Sequence, residues 1–165
     1  MKKSISILCA AIAVLYLLTG CKADVNNMIE VFVGENSFGY SVTGVVKNGD
    51  GTTTVSMEMK PLSIKEGDAK TNVMTLMQIG SSFNMIPYLV IDGQRVDVPE
   101  NNATMGIGGT EKGGLMCVYT FIFNTDADPE ELWLYPSGRS DDIDWHYKID
   151  PKSYEILQRA AIESE

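Results

Sequence analysis

The chain has 165 residues, of which 44% are hydrophobic, with 13 Lys and Arg against 22 Asp and Glu and a formal net charge of −9. One domain of ordinary size fits that length. The acidic excess excludes nucleic acid as a partner, because binding to its backbone relies on clustered Lys and Arg, and three cysteines are too few for a disulfide framework.

The chain opens with Lys2 and Lys3, followed by an apolar run over residues 5–18. Spanning a bilayer core as a helix takes about 20 apolar residues. The run is shorter than that and reads as a secretion signal. It ends on Leu18-Thr19-Gly20-Cys21. This tetrapeptide resembles the lipobox of bacterial lipoproteins, in which small residues before a cysteine admit a dedicated peptidase and the sulfur receives a diacylglyceryl group. The resemblance implies that residues 1–20 are a signal peptide and that Cys21 is the lipidated first residue. Residues 21–27 then form a short tether, and 28–165 a single domain on the extracytoplasmic face of the cell membrane. Two acyl chains anchor stably where one holds only marginally. Without Lys2 and Lys3, 11 basic residues face 22 acidic ones, a mature net charge of −11. The protein surface is thus repelled by anionic headgroups, and the lipid is what holds it at the membrane. Cys9 leaves with the leader and acylation consumes the sulfur of Cys21, so Cys117 has no partner for a disulfide. In its apolar surroundings it reads as a small buried hydrophobe.

Residues 28–33 read as a first strand. Across residues 38–47, Phe38, Tyr40, Val42 and Val46 alternate with Ser41, Thr43 and Lys47. Asn48-Gly49-Asp50-Gly51 then supplies residues that accept positive φ. Beyond it Thr53, Val55, Met57 and Met59 alternate with polar neighbours up to Pro61. Period-two alternation on both sides of a turn predicts a half-buried antiparallel hairpin, closed by the proline. Residues 62–72 read as an exposed connection, and 73–79 as a central strand or a short helix, which periodicity does not separate. A second hairpin is predicted over residues 87–98 around Asp92-Gly93. Residues 99–114 read as a polar loop carrying five glycines, and loops of that length are often functional or mobile. Leu115–Phe123 is nearly all apolar and is expected to be covered on both faces. Residues 131–135 form a short strand holding Trp133. Ile143, Trp145, Tyr147 and Ile149 alternate with Asp144, His146 and Lys148 in one more strand, its aromatic side inward. Asp150-Pro151 is a helix-start signal, with Tyr154, Leu157 and Ala161 as an apolar side.

Eight or nine short strands separated by turns predict a β-sandwich or barrel. Chemistry is harder to find. The glycine segment leads into a strand instead of a helix, so it does not make a phosphate cradle. Asp126, Asp128, Glu130 and Glu131 crowd one turn and Asp141, Asp142 and Asp144 another. Carboxylates in a turn suit calcium, but neither turn has the spacing of a calcium-binding loop. His146 is the single histidine. No nucleophile elbow accompanies it, and zinc finds no further His or spare paired Cys. Paired carboxylates for glycoside hydrolysis leave no local spacing and stay open. Eight methionines beyond Met1 read as core filling, or as an adaptable surface.

Leu115–Phe123, Asp128-Pro129-Glu130 and Leu132-Trp133-Leu134-Tyr135-Pro136 resemble the C-terminal part of small immunoglobulin-like domains of unknown function. These occur in lipoproteins and secreted antigens of Gram-positive bacteria. The chain lacks the cysteine pair of true immunoglobulin domains and the tryptophan between them. The resemblance implies an all-β, immunoglobulin-like antiparallel sandwich, to which the Asp150-Pro151 signal adds a short C-terminal helix. It also implies an extracytoplasmic binding or scaffolding module and carries over no catalytic residue; no cofactor is expected. The expectation is a lipid-anchored, non-enzymatic protein presenting loops, above all residues 99–114, to a protein or envelope partner. A calcium- or small-ligand-binding lipoprotein using residues 126–131 is the first alternative, and a carboxylate-dependent hydrolase of envelope glycans the second.

Overall fold

A computed structural model describes residues 27–33, 36–63, 85–110, 114–136 and 143–163. Cys21, most of the tether, residues 73–79, Asp141 and Asp142 lie outside them. The described residues form ten strands and no helix: β1 (Ile29–Val33), β2 (Asn36–Lys47), β3 (Thr53–Ser63), β4 (Met85–Ile91), β5 (Gln94–Asp97), β6 (Ala103–Gly109), β7 (Leu115–Phe123), β8 (Glu131–Pro136), β9 (Ile143–Ile149) and β10 (Ile156–Glu163). Two antiparallel five-stranded sheets result, ordered β1-β2-β3-β7-β6 and β10-β9-β8-β4-β5. The run β2-β3-β7-β6 reproduces the A-B-E-D sheet of an immunoglobulin domain, and β9-β8-β4-β5 its G-F-C-C′ sheet. β1 and β10 each add one strand outside that frame.

The core lies between the sheets. The first contributes Phe38, Tyr40, Val55, Met57, Met59, Cys117, Tyr119, Phe121 and Phe123, and the second Met85, Leu89, Leu132, Leu134 and Ile149. Methionine fills it as expected at Met57 and Met59, both wholly buried. Burial raises the Cys117 thiol above its ordinary pKa, which keeps it protonated and inert. It also pushes the Tyr40 hydroxyl up to about 12 and raises that of Tyr119. Both phenols are neutral core groups, and Tyr119 donates to Met59 Sδ at 3.8 Å.

Both predicted turns form. Gly49 and Gly51 take φ of 76° and 86°, and the Asn48 amide donates to the Thr52 carbonyl at 2.9 Å. Asp92 and Gly93 take 51° and 71°, the paired positive values of a two-residue hairpin whose twist matches its strands.

Several expectations are corrected. Strict alternation placed Val46 inward, yet it is 56% exposed. Val42 pairs with Met57 and Gly44 with Ser56, so Thr43 is an extra, bulged residue, and every side chain beyond it changes face. Val45 packs against the core instead. Pro61 does not end β3, which runs to Ser63 while Pro61 pairs with Phe38 near the end of the ladder. β7 is central, but only alternate residues from Cys117 to Phe123 are buried, so one face and not both is fully covered.

The predicted C-terminal helix is a strand. Asp150 does cap a turn, its Oδ1 accepting from the Lys152 and Ser153 amides at 2.7 and 3.1 Å. The Tyr154 amide donates to the Asp150 carbonyl, closing one helical turn. Tyr154 then takes φ of 62°. That left-handed residue ends the turn and sends the chain back along β9, with Ile156 opposite Ile149.

Candidate functional site

Residues 99–114, read from the sequence as a loop, contain the edge strand β6. Its entry is a turn with Asn101 at φ 76°. There the Asn102 amide donates to the Pro99 carbonyl at 3.0 Å, and Asn102 Nδ2 donates to the Ile122 carbonyl at 3.1 Å. At the exit the Thr110 amide donates to the Gly114 carbonyl at 2.7 Å. β6 and β7 pair without a register shift from Ala103 opposite Phe121 to Gly109 opposite Leu115.

Those end contacts fix the direction of every backbone group between them. The Ile122 amide donates to the Asn102 carbonyl, so Asn102 and Thr110 both belong to hydrogen-bonded positions. Such positions alternate along an antiparallel ladder. Thr104, Gly106 and Gly108 therefore bond to β7. Ala103, Met105, Ile107 and Gly109 turn their N–H and C=O groups away from it, along an edge that no other described strand pairs with. Side chains divide the same way. Met105 packs toward the core, whereas Thr104, Gly106 and Gly108 share the outer face with Thr120, Val118 and Met116. A Cβ on Gly108 would lie 3.1 Å from Met116 Cε and 3.2 Å from Val118 Cγ2, and one on Gly106 would meet nothing within 4 Å. The outer side of β6 is thus a shallow trough with an apolar wall.

Sheet edges invite pairing with other chains, and proteins blunt them with charge, shortness, bulges or proline. Among the described residues, three edges carry such devices: β1 has five residues and Glu30, β5 has four, with Arg95 and Asp97, and β10 has Arg159 and a register shift after Ile156. β6 has seven residues, no charge, no proline and no bulge.

The outer face of the second sheet holds a ladder of rings and cations across four strands. Tyr88 and Trp133 are cross-strand partners whose rings lie 6.2 Å apart and 2° from parallel. Arg95 caps Tyr88 at 4.1 Å from its centroid, and Lys148 stands 5.8 Å from the Trp133 ring. Arg95 pairs with Asp97 at 2.7 Å, and Lys148 with Glu131, which also accepts from Trp133 Nε1 at 2.6 Å. Each cation is thereby paired with a carboxylate. Such cross-strand ring and cation contacts stabilise a sheet surface.

His146 projects to this outer face as predicted, but it is buried at 4% exposure. Tyr135 stacks on it at 5.4 Å, and its Nδ1 lies 3.1 Å from the Tyr88 hydroxyl. Alternation gave its direction but not its cover, which comes from β4 and β8.

The carboxylates of residues 126–131 diverge. Asp128 pairs with Lys47 at 2.6 Å, Glu130 Oε2 accepts from the Gly93 amide at 3.2 Å, and Glu131 serves the ladder. Among the described residues no group of three His, Cys, Asp or Glu side chains is placed to hold a metal ion. Comparisons with family models, curated proteins and solved structures returned no match to this chain.

Proposed function

We propose that this protein is a lipid-anchored, extracytoplasmic and non-enzymatic binding module that offers the segment 99–114 to a protein or envelope partner. One observation carries the binding role: among the described residues the seven-residue β6 edge has no charge, proline or bulge, whereas the other three edges are blunted. The anchor rests on residues 2–21, where two lysines and an apolar run lead to Gly20-Cys21.

Both halves are tested in intact cells of a lipoprotein-processing host. A photo-crosslinking amino acid is placed at Ala103 or, as control, at Val46, with and without Cys21→Ala. The expected result is adducts from position 103, none from 46, and carbonate-resistant membrane retention that Cys21→Ala abolishes. Equal adducts from both positions, or none from 103, contradict the binding surface. Retention unchanged by Cys21→Ala contradicts the anchor.

A further inference from the structure

Resting on that reading, we propose that the partner binds by strand addition: an extended, uncharged or basic segment of another protein pairs with β6 and extends the first sheet to six strands. Among the described residues no strand lies beyond β6, and four backbone N–H groups and four carbonyls, those of Ala103, Met105, Ile107 and Gly109, point outward there at the two-residue repeat that an added strand matches.

The edge also states what side chains the incoming segment carries. In an added strand, every second side chain lies on the outer face beside Gly106 and Gly108. These have no side chain to meet it, and Met116 and Val118 form the wall behind. Large apolar or aromatic side chains at alternate positions fill that space and shield the glycine backbone, as cross-strand aromatics do for edge glycines. The intervening side chains follow Met105 and Ile107 on the core side. Charge selects among possible strands. A second copy of this chain brings a further net charge of −9, whereas a basic segment is attracted. The occupant is therefore a foreign strand, and the pairing surface itself adds no charge that would oppose it.

The test uses the detergent-solubilised full-length protein and a synthetic seven-residue peptide. The peptide carries Phe at alternate positions, Thr between them and Lys at both ends. A version N-methylated on its pairing edge and one with Glu ends serve as controls. Binding is read by titration, and the site by amide exchange. The proposal expects binding of the Lys-ended probe, new protection confined to Ala103, Met105, Ile107 and Gly109, no binding of the N-methylated probe, and weaker binding of the Glu-ended one. Ala103→Pro with Ile107→Pro removes two outward N–H groups without touching the bonds to β7, and weakens binding on the order of tenfold. Gly106→Val fills the trough, leaves the fold intact because nothing stands within 4 Å of its new Cβ, and also weakens binding. This variant keeps the test decisive if the proline pair does not fold. Probe binding that survives both variants, or N-methylation, overturns the proposal. So does a wild-type dimer in sedimentation that the proline pair dissolves, because the occupant is then a second copy. None of these readouts passes through Cys21. Cellular adducts at position 103 without probe binding leave the binding module standing and remove strand addition.

Discussion

Glu131 shows how one side chain in the acidic turn is committed to structure. Hydrogen bonds from Lys148 and then Trp133 hold its carboxyl below the ordinary carboxylate range. A carboxyl whose pKa is lowered by folding adds stability above its unfolded pKa, and that stability is lost as pH falls through the folded value. With side chains 26% and 32% exposed, the Lys148 to Glu131 pair is partly screened by solvent and the effect is modest. Glu131→Gln is expected to lower stability in urea unfolding at pH 7, with the difference from wild type closing once the carboxyl is protonated, well below its unfolded value of about 4.3. A difference that stays constant down to acid pH contradicts the assignment. The sequence showed these carboxylates but not their engagement. Lys148 stands 17 residues from Glu131, and only the register of β8 with β9 brings them together. Tyr88, Arg95 and Trp133 were missed for the same reason. The available signal was that Trp133 and Tyr135 share one parity along their strand.

At the scale of elements, legibility followed the local signals. Both hairpins and the central β7 could be read from alternation, glycine and asparagine chemistry, because two residues of turn geometry decide the pairing on either side. Glycine enrichment hid β6: its strand character comes from the continuous ladder with β7, a contact that sequence spacing does not show. β10 was hidden by a genuine cap at Asp150, which starts one turn that Tyr154 then ends. Thr43 was hidden because a bulge leaves no compositional mark. Its removal gives a specific expectation. Deleting Thr43 leaves Val42 inward, Gly44 outward and Val45 inward in an uninterrupted ladder, so the variant is predicted to unfold cooperatively like the parent. Deleting Ser56 from β3 moves Thr53 and Val55 out of register with Phe123 and Phe121, and is predicted to prevent folding. Loss of folding in the Thr43 deletion, or tolerance of the Ser56 deletion, read by thermal unfolding, contradicts the bulge.

The whole molecule places its two proposed contacts at opposite sides of one sheet. β1 follows the tether and β6 is the far edge, four inter-strand spacings or about 19 Å away. The seven residues from 21 to 27 reach at most roughly 25 Å when extended, so the proposed anchor at Cys21 would hold the domain close to the bilayer with β6 across the sheet from it. Among the described edges β6 alone lacks charge, proline and bulge, which is why the proposed pairing is placed there. The most direct measurement of that account is residue-resolved amide exchange across β6 in the isolated protein. Alternation is expected, with Thr104, Gly106 and Gly108 slow and Ala103, Met105, Ile107 and Gly109 fast. Slow exchange at all seven would contradict it, because the edge would already be paired within the molecule.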